Sequence, residues 1–229
     1  MNIFLLGDVP NDLVSFTFFI GTMAMMAASV FFFLSLDAGG GKWRTSMLVS
    51  GLITFIAAVH YYYMRDANVS GADVTFFRYV DWILTVPLMC VEFYLILAKA
   101  GATKKLMWQL IGLSTVMLVA GYIGETGDSP VLYGTISGIA YFVMVGMLWL
   151  GSPKALAEKA GGSVLEAYNA LCWFILVGWS IYPIGYMIGT DGWYDFVDAI
   201  PLDMDVVYNI GDAINLSLIH ISEPTRLNP

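Results

Sequence analysis

Apolar runs separated by short charged or glycine-rich segments divide the chain into seven stretches. They cover about residues 11–36, 43–64, 75–97, 105–124, 131–151, 165–188 and 202–221. A helix needs roughly 20 apolar residues to cross the hydrocarbon layer of a bilayer, and each stretch has about that length. The pattern predicts an all-α integral membrane protein, a seven-transmembrane helix bundle with short loops. The seventh stretch is the weakest, because Asp205 and Asp212 interrupt it.

The composition also indicates a lipid environment. Of the 229 residues, 59% are hydrophobic and 12% are charged, with a mean hydropathy of +0.74. A soluble domain carries about 25% charged residues. The net charge of −8, without a basic patch, argues against a nucleic-acid partner. Cys90 and Cys172 lie inside apolar runs, where a free cysteine acts as a small core hydrophobe, so neither a disulfide nor a metal site is predicted.

Basic residues are concentrated after the first, third and fifth stretches. These are Lys42, Arg44, Lys99, Lys104, Lys105, Lys154 and Lys159. The segments at the opposite ends hold only Arg65 near the membrane and are otherwise acidic. Short loops rich in lysine and arginine stay in the cytoplasm. This asymmetry predicts a multi-pass membrane protein with its N-terminus outside and its C-terminus inside.

The third stretch carries four polar residues on one helical face. At about 100° per residue, Arg78, Asp81, Thr85 and Glu92 fall within one stripe. Asp81 and Glu92 are then roughly 16 Å apart along the axis, about half the hydrocarbon thickness. Ionisable groups at membrane depth are costly and usually functional. Two carboxylates on one face suit a proton relay; the alternative is two isolated groups that only hydrogen-bond to neighbouring helices.

Other stretches add candidate partners for this face. Asp212 lies near the middle of the seventh stretch, and His60 lies in the second at the depth expected for Asp81. A histidine inside a bundle is often only a core residue, but here an aspartate is a plausible neighbour. The aromatic residues Trp82, Trp179 and Tyr182, with Pro183, could line a ligand cavity or simply fill the core.

Five sequence runs together resemble one family, the proteorhodopsins, which are microbial (type 1) rhodopsins. The runs are RYVDWILTVPLMCVEFYLILAKA (78–100), HYYYMR (60–65), GYIGE (121–125), WSIYPIGY (179–186) and YNIGDAIN (208–215). The resemblance extends from Asp12 to Asn215. It implies a light-driven outward proton pump with all-trans retinal as cofactor, an ion-transporting photoreceptor rather than an enzyme. Its location would be the cell inner membrane, and its partners would be retinal, the lipid bilayer and protons. A homo-oligomer is one alternative for its assembly.

The resemblance assigns a role to each polar residue around the cofactor. Asp81 would be the counterion and proton acceptor of the retinal Schiff base, and Asp212 the second counterion. Arg78 would tune both carboxylates and help to expel the proton outward. Thr85 would lie beside the acceptor, and His60 would pair with Asp81.

The remaining roles concern proton supply and colour. Glu92 would be the donor that returns a proton from the cytoplasmic side. Met89 would lie beside the polyene at the position that tunes colour, where an apolar residue favours green absorption and glutamine favours blue. The residues packing on the polyene would be Trp82, Met89, Trp179, Tyr182 and Pro183.

The sequence departs from the family at the attachment point. The family links retinal to a lysine four residues after the seventh-helix aspartate, but that position here is Leu216. The six lysines of the chain all lie at helix ends or in loops on the basic side. The run LSLIHISEPTR (216–226) instead resembles the in-frame translation of a transposon-end sequencing adapter. This interpretation divides the chain into a retinal-binding rhodopsin domain at 1–215, with a truncated seventh helix, and a non-native tail at 216–229.

Two alternatives to the adapter interpretation are a diverged lysine-free rhodopsin and a genuine C-terminal splice. Without the lysine, the chain as written is expected not to form the covalent pigment. The function of the family of origin also has an alternative, a sensory photoreceptor. Glu92 favours the pump, because a sensory pigment usually lacks the carboxylic donor. A second alternative to the pump function is an unpigmented, lysine-free rhodopsin.

Overall fold

The apolar stretches form helices because, in lipid, every backbone N–H and C=O group needs a partner within the protein. The computed structural model describes residues 12–37, 41, 43–190 and 203–218. The α-helices in that part of the chain are α1 (Leu13–Leu34), α2 (Arg44–Val69), α3 (Thr75–Ala98), α4 (Lys104–Thr126), α5 (Pro130–Leu150), α6 (Ser152–Ala160), α7 (Gly162–Trp173), α8 (Ile181–Ile188) and α9 (Met204–Asp212). A π-helical turn joins α7 to α8 (Phe174–Gly178), and a second follows α9 (Ala213–Leu218).

Six helical segments are long and apolar enough to cross a bilayer. They are α1, α2, α3, α4, α5 continued by α6, and α7 continued by α8. The described part of the seventh helix, α9 with its π-helical turn, is shorter. These segments confirm the predicted all-α membrane bundle.

The boundaries differ from the prediction in two places. Helix α2 continues to Val69 instead of ending near residue 64, and residues 152–160 form α6 instead of a loop. Lys42, the acidic residues between 191 and 202, and the predicted tail beyond Leu218 lie outside the described residues.

Successive long helices run in opposite directions, so the bundle has two chemically different ends. The lysine end carries Lys99, Lys104 and Lys154. The acidic end carries Asp66 and Asp128. Asp12 also lies at the acidic end, where its side chain accepts a hydrogen bond of 2.8 Å from the backbone amide of Ser15 in the first turn of α1. This bond stabilises the charged carboxylate and holds the pKa of Asp12 below its ordinary value.

Neighbouring helices pack so that the polar face of α3 lies inside the bundle. Helix α3 contacts α2 and α4, and α9 closes the ring against α1 and α8. Apolar side chains that point outward, such as Leu150 at 89% exposure and Phe142 at 67%, lie on the surface that faces lipid. The mainly apolar interior also encloses the charged residues Arg78, Asp81 and Asp212, which a soluble protein rarely buries completely.

Candidate functional site

The stripe predicted on α3 lies inside the bundle. Arg78, Asp81 and Thr85 are fully buried, and Glu92 is 1% exposed. Pro87 lies within the helix without ending it, since α3 continues to Ala98. The spacing of the four residues along a single helix therefore sets their depth in the membrane.

Asp81 is buried with unused hydrogen-bonding capacity. Neither of its carboxylate oxygens accepts a hydrogen bond from the residues that the structure describes. The Thr85 hydroxyl donates to the Asp81 backbone carbonyl at 2.9 Å, not to its side chain. His60 Nδ1 lies 3.5 Å from Asp81 Oδ1 but only 2.9 Å from the Ile56 carbonyl oxygen. His60 and Asp81 are thus neighbours, and the Asp81 carboxylate remains open to a further donor.

Asp212 is also fully buried, but it has three side-chain donors. Tyr61 donates at 2.6 Å, Tyr182 at 2.7 Å, and the indole Nε1 of Trp82 at 3.0 and 3.1 Å to the two oxygens. Hydrogen bonds to a carboxylate are strong and fix its orientation. Asp212 is therefore held rigidly, in contrast to Asp81.

Arg78 connects α3 to the acidic end of α9. Its guanidinium bonds to Asp205 at 2.5 Å and to Asn209 at 3.1 Å, and it lies over the ring of Tyr208 at 5.1 Å. The resemblance assigns Arg78 to tuning Asp81 and Asp212, and the ion pair of Arg78 among the described residues is with Asp205. Asp205 is one-quarter exposed and so links the buried cation to the acidic end.

A second carboxylate lies beside this cation. Glu125 of α4 accepts a hydrogen bond of 2.5 Å from the Tyr208 hydroxyl. Sequence reasoning noted Glu125 and Asp205 only as acidic residues, and it assigned no partner to Tyr61. Their pairing depends on contacts between residues far apart in the chain, and a single sequence carries no signal for such contacts.

Glu92 occupies the other half of the bundle, toward the lysine end. It accepts a short hydrogen bond from the Ser50 hydroxyl of α2, and Ser50 is itself fully buried. Cys90 and Cys172 are both buried and free. The two carboxylates of α3 thus lie in separate environments, each enclosed by the bundle.

A cavity of about 340 Å³ lies between α3, α4, α5 and α8, beside Asp212. Its wall includes all five predicted polyene contacts, Trp82, Met89, Trp179, Tyr182 and Pro183. Leu216 also lines it and is 2% exposed. Trp82 and Tyr182 border the cavity and donate to Asp212, so the cavity and the carboxylate site are contiguous.

These residues fit the polyene of retinal but not its covalent attachment. The wall is mainly apolar and aromatic, which suits a long conjugated hydrocarbon. Asp81, buried without a hydrogen-bond donor among the described residues, suits a cationic group placed next to it. Position 216, where the resemblance predicts the attachment lysine, holds leucine in the cavity wall, and leucine cannot form an imine.

Comparison with known proteins identifies the family. The bacteriorhodopsin-like protein family matches residues 12–215. The blue-light absorbing proteorhodopsin of Gamma-proteobacterium Hot 75m4 is 44% identical over 91% of this chain and 84% of its own. The green-light absorbing proteorhodopsin of Gamma-proteobacterium EBAC31A08 is 42% identical over the same shares. The crystal structure of a blue light-absorbing proteorhodopsin from Med12 superposes with a TM-score of 0.78, at 35% identity over 94% of this chain and 98% of that one.

Both the sequence match and the superposition extend over nearly the whole bundle. Proteins of this kind use retinal as chromophore and act as light-driven ion pumps rather than enzymes. The chain belongs to the bacteriorhodopsin-like family of retinal proteins and is a multi-pass membrane protein similar to proteorhodopsins.

Proposed function

We propose that this bundle is that of a light-driven outward proton pump, and that Leu216 prevents the chain as written from forming the covalent pigment. One observation carries the proposal. Two buried carboxylates, Asp81 and Glu92, occupy one inward face of α3: Asp81 lies among the α3 residues that border the cavity, and Glu92 lies beyond the last of them, Met89. A pump needs a proton acceptor and a proton donor separated by the chromophore, and this pair supplies both.

The proposed orientation follows from charge. The lysine end lies in the cytoplasm and the acidic end lies outside, with the N-terminus outside, because positively charged loops are retained on the cytoplasmic side. We place the protein in the cell inner membrane because the proteorhodopsins that it resembles come from gamma-proteobacteria. Glu92 then lies in the cytoplasmic half of the bundle. Arg78 and Asp205 lie in the outer half, where the proton would leave.

The residues act in a fixed order in this mechanism. When linked to a lysine at position 216, retinal supplies a light-driven change of shape that moves a proton. Asp81 takes that proton, since its oxygens have no competing donor among the described residues. Asp212 keeps its charge in place through Tyr61, Trp82 and Tyr182. Thr85 fixes the backbone at Asp81.

Release and reuptake use opposite halves of the bundle. The Asp205 carboxylate receives the proton on its way outward, since its ion pair with Arg78 connects the buried interior to the partly exposed end of α9. Glu92 supplies the replacement proton from the cytoplasmic half, and Ser50 holds its carboxyl group. His60, next to Asp81, influences when that carboxylate gives up its proton.

The direct test replaces the residues after Asn215 with a lysine followed by a helix end like that of the family. We call this protein the lysine-restored chain. Cells that make this protein and receive all-trans retinal are expected to acidify an unbuffered suspension on illumination, and a proton ionophore is expected to abolish the change. A pigment that forms but moves no protons would favour the sensory alternative. A protein that binds retinal without colour would favour the unpigmented one.

We expect Glu92→Gln, made in the lysine-restored chain, to slow recovery after a flash roughly 100-fold, because an amide cannot supply the proton. Time-resolved absorption measures the recovery, and a small permeant weak acid should accelerate it by carrying protons in its place. Glu166→Gln is the matched control, since Glu166 is exposed on the same half of the molecule. Recovery as fast as in the parent would remove Glu92 from the mechanism.

Met89 should set the colour of the lysine-restored pigment. It is 3% exposed and lines the cavity. Overall similarity does not decide the colour, because a blue-absorbing and a green-absorbing relative are nearly equally similar. An apolar side chain adds no dipole that favours the ground-state charge, so we expect green absorption, with a shift to blue in Met89→Gln. Met89→Leu should leave the absorption spectrum almost unchanged. A blue parent pigment would contradict this role.

A further inference from the structure

The sixth membrane span contains a wide turn just before the cavity. At Phe174–Gly178 the helix is π-helical, and the Trp179 amide donates to the Phe174 carbonyl, five residues back, at 3.0 Å. In an α-helix that amide would bond to the Ile175 carbonyl instead. The wide turn therefore deprives Ile175 of its usual donor, at a depth where lipid offers no substitute.

A tyrosine from the neighbouring helix supplies the missing donor. The Tyr141 hydroxyl of α5 lies 2.9 Å from the Ile175 carbonyl oxygen and 3.0 Å from that of Leu176. Tyr141 is 4% exposed, and a buried phenol needs an acceptor just as the carbonyls need a donor. Its single proton is shared between the two oxygens of the wide turn.

The other side of the wide turn is held by the seventh helix. Asn215 Nδ2 donates to the Gly178 carbonyl at 3.0 Å. A Cβ atom at residue 178 would come within 2.0 Å of Asn215 Oδ1, so only glycine allows this approach. Asn215 directly precedes position 216. The wide turn is thus fixed on one side by α5 and on the other by the residue next to the attachment point.

We infer that Tyr141 is a positioning residue for the retinal cavity: its hydroxyl fixes the wide turn at Phe174–Gly178 and thereby places Trp179 in the cavity wall. Trp179 is the residue that follows the turn, and it is 4% exposed. The ring of Tyr141 also lines the cavity, so one side chain both borders the ligand space and orients its neighbour. This role concerns the cavity itself and holds whether or not the bundle pumps protons.

The experiment uses the unmodified chain in detergent, without retinal. Hydrogen exchange followed by mass spectrometry should show exchange over residues 174–180 that is roughly tenfold faster in Tyr141→Phe, because the variant leaves buried carbonyls without a donor. Infrared spectra of protein labelled with carbonyl-¹³C isoleucine should show one band moving to higher frequency in the same variant. A change in packing alone would not produce that second signature.

Tyr168→Phe is the matched control, since the Tyr168 hydroxyl also donates to a backbone carbonyl, that of Leu148, away from the wide turn. It should leave residues 174–180 unchanged. Parental exchange in Tyr141→Phe, or no shift of the labelled band, would overturn the inference. If Tyr141→Phe does not fold, 3-fluorotyrosine at position 141 provides the second measurement. As a stronger donor of nearly the same shape, it should slow exchange over 174–180 below the parental rate, and an equal or faster rate would refute the role of the hydroxyl.

Discussion

Replacing the residues after Asn215 with lysine and a family-like helix end is expected to convert a protein without visible absorption into a retinal pigment. The reason is the limited length of a lysine side chain. A lysine amine lies about 6 Å from its own Cα, so only a lysine in the cavity wall can meet retinal there. Lys99, Lys104, Lys105, Lys154 and Lys159 lie at the lysine end, and Lys42 follows the first span. Leu216 already faces the cavity, so the new amine would start from the right place.

The measurement is borohydride reduction after addition of retinal, followed by mass spectrometry. The lysine-restored chain should give a retinyl adduct at residue 216 and a visible absorption band, and the unmodified chain should give neither. The matched control carries the same new helix end with leucine retained at 216. Leu216→Lys alone should restore less colour, because Pro224 still prevents the helix from continuing. A retinyl adduct inside the bundle of the unmodified chain would contradict the claim that none of its lysines reaches the cavity.

Asp81→Asn in the lysine-restored chain is expected to reduce light-driven proton transport by roughly 100-fold or more, because an amide cannot accept the proton. The loss should be larger than for any other carboxylate, since Asp81 combines complete burial with two oxygens that accept no hydrogen bond from the described residues. Asp212→Asn should act differently. It removes the centre of a network of three donors, so loss of pigment stability is the expected main effect.

The initial rate of acidification per mole of pigment measures transport. Asp66→Asn is the control, because Asp66 is exposed at the acidic end of α2. It should transport at the parental rate. Parental transport by Asp81→Asn would require another acceptor and would remove the observation on which the pump proposal depends.

The sequence predicted the bundle well because lipid imposes a simple rule on length and polarity. The inward stripe on α3 followed from helical spacing alone, and the complete burial of Arg78, Asp81 and Thr85 agrees with it. The cavity-lining residues were predicted from the family resemblance, since aromatic residues at helical spacing are equally common in ordinary cores. Leu216 in the cavity wall agrees with the position expected for the missing lysine.

Apart from the two helix boundaries, the features that escaped prediction depend on partners from distant parts of the chain. Arg78 pairs with Asp205, which is 127 residues away, and Tyr61 donates to Asp212 across 151 residues. The wide turn at Phe174–Gly178 has no signature in hydrophobic periodicity, because its stability depends on Tyr141 and Asn215. Periodicity reports which face of a helix is buried, but not which side chain it meets there.

The three donors around Asp212 bear on how such a protein is made. A buried carboxylate normally needs a cation or several hydrogen-bond donors. Here Tyr61, Trp82 and Tyr182 already surround the carboxylate with hydrogen bonds. The helices can therefore insert and assemble around Asp212 first and receive retinal afterwards. Biogenesis of the bundle therefore need not wait for a supply of retinal.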